Sequence, residues 1–128
     1  MGSYLIDTHT AIWFFNGDDM LSETAKRTIL DPSNHKYLSI VSAWELAIKI
    51  GLGKLDFNGK AAGFIHLAES NGFIVIPIKS DHLTVFEALP LIHRDPFDRL
   101  LVATTLAEQM TLITVDKNIA QYDVPLIW

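Results

Sequence analysis

The chain has 128 residues, with 10 Lys and Arg against 15 Asp and Glu, no cysteine, and 49% hydrophobic residues. That length fits a single domain, residues 1–128, with enough apolar surface to bury its own core, and the lack of cysteine excludes a disulfide framework or a thiolate metal site. A net charge of −5 argues against a grip on nucleic acid by general basicity; it permits one through divalent cations held by clustered acids.

In chain order, short β-rich runs alternate with segments of helical period. Ser3–Ile6 reads as a strand ending at Asp7, and His9–Phe15 as the start of a helix broken by Asn16-Gly17-Asp18-Asp19. A capping signal at Ser22 opens a helix to Leu30, closed before Asp31-Pro32. Tyr37–Val41 is a strand running into the helix Ser42–Leu52, and Lys60–Ser70 is helical up to Asn71-Gly72. Phe73–Ile78 is a strand and Asp81–Leu89 a helix stopped by Pro90. Pro96–Gln109 is a long helix, Thr111–Val115 a strand, Lys117–Gln121 a short helix and Val124–Ile127 a last strand. Strands separated by helices predict βαβ units: a mostly parallel central sheet with helices on both faces, an α/β sandwich of three layers. No apolar run reaches membrane-spanning length, and no basic-then-apolar leader opens the chain, so a cytoplasmic protein without membrane contact is expected.

Such sheets place function at the carboxyl ends of their strands. Asp7 follows Tyr4-Leu5-Ile6, and Asp116 follows Leu112-Ile113-Thr114-Val115, so both stand at strand ends. Glu45 lies in the first turns of the helix after the second strand, and Asp98 in the first turn of the helix opened by Pro96. All four are expected on one edge of the sheet, where converging oxygen ligands suit Mg²⁺ or Mn²⁺. Each also has a structural reading. Asp7 and Asp116 fit strand-end turns, Glu45 fits an i,i+4 pair with Lys49, and Asp95 with Asp98 fits a helix cap. His9 and His93 flank the same edge as ligands, bases or hydrogen-bonding neighbours. Lys49, Lys54, Arg94 and Arg99 either line a nucleic-acid path or neutralise nearby acids. Trp13, Phe14 and Phe15 cannot all face inward from one helix, so an exposed apolar surface is expected there.

At these residues the chain resembles the PIN-domain proteins, most of all their VapC-like toxin branch. The likeness rests on Tyr4-Leu5-Ile6-Asp7-Thr8-His9, on Ser42-Ala43-Trp44-Glu45 with Lys49 and Gly53-Lys54-Leu55, on His93-Arg94-Asp95-Pro96-Phe97-Asp98-Arg99-Leu100-Leu101, and on Thr114-Val115-Asp116. It implies a PIN-like fold and endoribonuclease activity dependent on Mg²⁺ or Mn²⁺. It also implies a homodimer neutralised by a cognate antitoxin. Carried over, Asp7, Glu45, Asp98 and Asp116 form the acidic quartet, Asp95 is an additional acid, and Thr114 and Thr8 support the site. Lys49, Arg94 and Arg99 are the candidate RNA contacts.

Two other classes compete. A phosphatase would use Asp7 as nucleophile, although such enzymes want a second aspartate where this chain has His9. A dimeric binding module would act with an antitoxin on its own operon and cut nothing.

Overall fold

The computed structural model of the protein describes residues 2–128. Its five strands are β1 (Ser3–Ile6), β2 (His35–Ser39), β3 (Ile74–Ile76), β4 (Thr111–Ile113) and β5 (Leu126–Ile127), in the spatial order β3-β2-β1-β4-β5. Every neighbouring pair is parallel. The helices are α1 (Thr8–Asn16), α2 (Glu23–Leu30), α3 (Ile40–Gly51), α4 (Lys60–Ser70), α5 (Ser80–Ala88) and α6 (Pro96–Ala107), with a 3-10 turn at Ile119–Gln121. None is long and apolar enough to cross a membrane.

Why the sheet is covered on both faces can be read from β1. Leu5 and Ile6 point to opposite faces, yet both are buried, as in the near-continuous apolar strands of parallel sheets. Ile6, Leu38 and Ile113 pack with Phe64, Ile12, Ile29 and Leu46 in one core. Leu5 and Leu112 pack with Leu101, Val102 and Ile119 in the other. Helix α5 packs on α3 and α6 through Phe86, Val41 and Leu100. The result is the three-layer sandwich expected.

The boundaries shift where local chemistry decides them. Strand β2 ends at Ser39, not Val41, because the Ser39 hydroxyl accepts the Val41 amide and starts α3 two residues earlier. Ser42 is therefore an interior residue of α3, not its first. At the front of β2, pairing with Ser3 extends the strand back to His35. Helix α1 begins at Thr8, with Asp7 as its N-cap residue. β3, β4 and β5 are each shorter than the apolar runs that announce them, because residues beyond the paired core have no neighbouring strand.

The topology fixes where a site can form. From β1 the chain winds outward through β2 and β3, then returns to the other side of β1 for β4 and β5. The crossovers diverge at β1 and β4, so the crevice lies at the carboxyl ends of those two strands.

One glycine contact makes a stability prediction. Gly63 lies inside α4, where Ala normally stabilises by up to about 1 kcal/mol. Here a Cβ would stand 2.8 Å from the Asn58 carbonyl oxygen. Gly63→Ala is expected to lower the melting temperature in a thermal scan, against the helix-propensity trend.

Candidate metal centre

Asp7 leaves β1 with its amide still in the ladder, donating to the Ile113 carbonyl at 3.1 Å. It occupies the N-cap position of α1, yet its carboxylate makes no capping bond. Instead Oδ2 accepts the Thr114 hydroxyl at 2.8 Å across the β1–β4 junction. Only 5% of Asp7 is exposed. Burial pushes its carboxyl above the ordinary range, opposed by the Thr114 hydroxyl, His9 and the Thr8 amide and reinforced by Glu45.

Thr114 joins two acids. Its hydroxyl oxygen also accepts the Asp116 amide at 3.1 Å. Asp116 in turn spends Oδ1 on the amides of Asn118 (2.8 Å) and Ile119 (3.4 Å), opening the 3-10 turn.

Glu45 stands in the second turn of α3, and is also 5% exposed. Its Oε1 lies 2.9 Å from the Thr8 hydroxyl, which is 2.8 Å from Ser42 Oγ. Its Oε2 accepts Lys49 Nζ at 2.8 Å, the i,i+4 pair that the spacing suggested. Ser42 thus belongs to the site's hydrogen bonding, a role its reading as a helix start had hidden.

The segment Asp95–Asp98 separates capping from charge. Asp95 Oδ1 accepts the amides of Phe97 (2.9 Å) and Asp98 (3.1 Å), with Pro96 opening the helix. Asp98 does not complete a reciprocal cap; its Oδ2 lies 3.2 Å from His93 Nε2. Burial pushes the Asp98 carboxyl up to about 7, opposed by the His93 hydrogen bond and reinforced by the charges of Asp95, Asp7 and Asp116. Asp7, Glu45, Asp95, Asp98 and Asp116 therefore share one electrostatic neighbourhood at the carboxyl edge of the sheet. Four of them, all but Glu45, are bonded through one oxygen alone, and the donor set is all hard oxygen. A divalent cation fits that chemistry.

The candidate cations divide. Arg94 and Lys54 are exposed, and Lys49 is held on Glu45. Arg99 is 7% exposed. It donates to the Pro90 carbonyl (2.9 Å) and the Tyr122 hydroxyl (3.0 Å) and lies over the Phe86 ring, so the expectation that it lines an RNA path is corrected: its guanidinium is consumed in the interior. His9 is exposed and stands beside Trp13, at 6.3 Å between ring centroids.

Asp81, His82 and Glu108 also bring three potential ligand atoms within 4.8 Å of one another. His82 and Glu108 are already bonded to each other and to Lys79. His82 Nδ1 accepts the Lys79 amide at 3.1 Å, and Nε2 lies 2.6 Å from Glu108 Oε2, which also meets Lys79 Nζ at 3.3 Å. Those bonds, His82 first, hold the Glu108 carboxyl below its usual range. The buried His82 and the Glu108 carboxylate fasten α5 to the end of α6.

A pH dependence follows from Asp98. Its folded value near 7 exceeds its ordinary 3.8, so the folded chain holds a proton that the unfolded chain releases. That stabilisation is complete below the ordinary value and lost as pH rises through about 7. In EDTA, the melting temperature of Asp98→Asn minus that of wild type is therefore expected to grow as pH rises from 4 to 7 and then level off. A flat difference in calorimetry would mean that the carboxylate carries no strain.

Among solved structures, the fold is similar to a chain of VapBC2 from Rickettsia felis bound to a promoter DNA fragment, with TM-score 0.74, 17% identity and 98% of each chain covered. It is similar to a chain of DNA-bound VapBC from Salmonella typhimurium (TM-score 0.72, 14% identity, 99% of this chain and 98% of that one). A toxin–antitoxin complex from Klebsiella pneumoniae gives TM-score 0.66 at 23% identity, covering 98% of this chain and 96% of that one. No curated protein matches the sequence. The PIN domain model matches residues 4–125, and the chain belongs to the PIN domain family.

Proposed function

We propose that the chain is a divalent-metal-dependent endoribonuclease, the toxin of a toxin–antitoxin pair. The observation that carries the reading is the buried, mutually repelling set of carboxylates at the carboxyl edge of β1 and β4. Burying like charges is costly unless a cation offsets them, and the residues present fit Mg²⁺ or Mn²⁺.

In this reading Asp7, Glu45, Asp98 and Asp116 would hold the cation. When bound, it supplies positive charge to an anionic phosphodiester and makes water a usable nucleophile near neutral pH. The remaining work belongs to the chain. Thr114 holds one oxygen of Asp7 and leaves the other unbonded by it; Thr8 does the same for Glu45. Asp95 acts mainly as the cap that sets Asp98 on the first turn of α6. The exposed Arg94 and Lys54, with Lys49 at the rim, are placed to meet backbone phosphates of the RNA. A phosphatase is a weaker reading, because the carboxylate that would attack is buried against Thr114.

The fold neighbours are toxin–antitoxin complexes, two of them bound to DNA, which supports an antitoxin partner; in this reading that partner presents a basic side chain to the acidic cleft and competes with the metal. A homodimer belongs to the same proposal, and the run Trp13–Phe15, expected to leave an apolar surface exposed, is not our candidate for its interface. Phe14 and Phe15 pack edge-on against Phe73 and Phe64, and Trp13 against Trp128, so the run Trp13–Phe15 largely joins the core. The exposed apolar groove lies instead between α3, α5 and α6, lined by Trp44, Leu83, Phe86, Phe97 and Leu100, with Trp44 58% exposed.

Cleavage of RNA in Mg²⁺ or Mn²⁺, abolished by EDTA, tests the function; a chain that binds an antitoxin yet never cuts RNA would be a binding module. Asp98→Asn is expected to reduce cleavage at least ~100-fold while leaving the fold intact, and in EDTA at neutral pH to melt above wild type. Asp95→Ser, which keeps a good cap, should lose activity only in part. Asp7→Asn should abolish cleavage and melt at the same temperature or higher in EDTA. The reverse ranking of the Asp95 and Asp98 variants would move the assignment by one helical turn.

Assembly has its own measurement. Light scattering is expected to give a dimer for wild type and a monomer for Trp44→Lys, with little change in melting temperature because Trp44 is exposed. A wild-type monomer at high micromolar concentration would refute it.

A further inference from the structure

Three side chains behind the acids, Arg99, Tyr122 and His93, form a hydrogen-bonded line that ends on Asp98. Arg99 donates to Tyr122 Oη at 3.0 Å. Tyr122 Oη lies 2.8 Å from His93 Nδ1, and His93 Nε2 lies 3.2 Å from Asp98 Oδ2. Tyr122 is 4% exposed.

The direction of the line follows from what each group can do. A guanidinium only donates, so the Tyr122 oxygen accepts. The single phenolic proton is then left for His93 Nδ1, which accepts it. That tautomer carries its proton on Nε2, facing Asp98. The line therefore ends in a donor fixed against one carboxylate oxygen, leaving the other free. Arg99 is itself anchored by the Pro90 carbonyl and the Phe86 face. The Tyr122 end follows the turn opened by Asp116, so the same line ties the Asp98 helix to the Asp116 segment.

We propose that His93 and Tyr122, backed by Arg99, are positioning residues for Asp98: they set its rotamer and its free oxygen for a divalent cation. The proposal rests on the metal-site reading above. Neighbours that orient a ligand typically change metal affinity 10- to 100-fold when removed, while leaving the fold in place.

The test is Mn²⁺ binding to the full chain, followed by the electron paramagnetic resonance of free Mn²⁺, beside melting temperatures in EDTA. His93→Ala and Tyr122→Phe are each expected to weaken Mn²⁺ binding by about 10-fold or more. His93→Gln, which can still offer an N–H near the Nε2 position, should recover most of that loss. Asp98→Asn is the comparator. If it weakens Mn²⁺ binding while both His93→Ala and Tyr122→Phe bind as wild type, the positioning role is overturned and the metal site stands. Lowered melting temperatures with unchanged Mn²⁺ affinity overturn it as well, and leave the line only structural. Should Asp98→Asn itself bind Mn²⁺ like wild type, the metal-site reading fails and takes the positioning role with it.

Discussion

A carboxylate at the end of a central strand is caught between two demands. The strand must be buried on both faces for the sheet to hold, while the charge that follows it wants water. Asp7 stands at that point, and the fold answers with the Thr114 hydroxyl reaching across from β4. One neutral hydrogen bond does not replace the hydration of a charge, and burial still drives the Asp7 carboxyl upward. Burial raises the Asp98 carboxyl in the same way, and the charges of Asp95, Asp7 and Asp116 add to it. An edge this unfavourable persists because the β1–β4 pairing, the two cores and the helix starts determine its geometry.

Helix beginnings do much of this placement, and they divide the labour unequally. Asp95 spends one oxygen, Oδ1, on two amides of α6. Asp98, three residues on, is spared from capping and directed to His93. At α1 the N-cap residue forgoes its usual bond, leaving amides uncapped by that side chain while the carboxylate serves the β1–β4 junction. A cap foregone in this way costs roughly 1 kcal/mol. Such a departure from local preference at a functional edge is what the conflict between folding and chemistry leads one to expect.

The basic residues show how poorly charge alone indicates a role. Arg94 and Arg99 both flank the acids in sequence, yet one faces solvent and the other braces the interior. A guanidinium suits that interior post because it offers several donors in a fixed fork and stacks on an aromatic face. The aromatic run of α1 is a parallel case: three adjacent rings find cover because Phe64 of α4, Phe73 just before β3 and the final Trp128 supply edge-on partners.

Much of this was legible in the residues themselves. Alternating β-rich and helix-period runs dictated a parallel three-layer sheet, since strands of that apolar density need cover on both faces. Strand ends at Asp7 and Asp116, and helix starts beside Glu45 and Asp98, put those acids on one edge because βαβ connections send every strand the same way. Local pattern could not decide the rest. Whether Asp95 or Asp98 caps α6, whether Arg99 faces RNA or Tyr122, and which apolar surface stays uncovered depend on side chains that meet only after folding. Tyr122 carries no sequence signal at all: it is one tyrosine after a turn. Its partners His93 and Arg99 lie 29 and 23 residues away, and only packing of the Asp116 segment against α6 brings its hydroxyl between them.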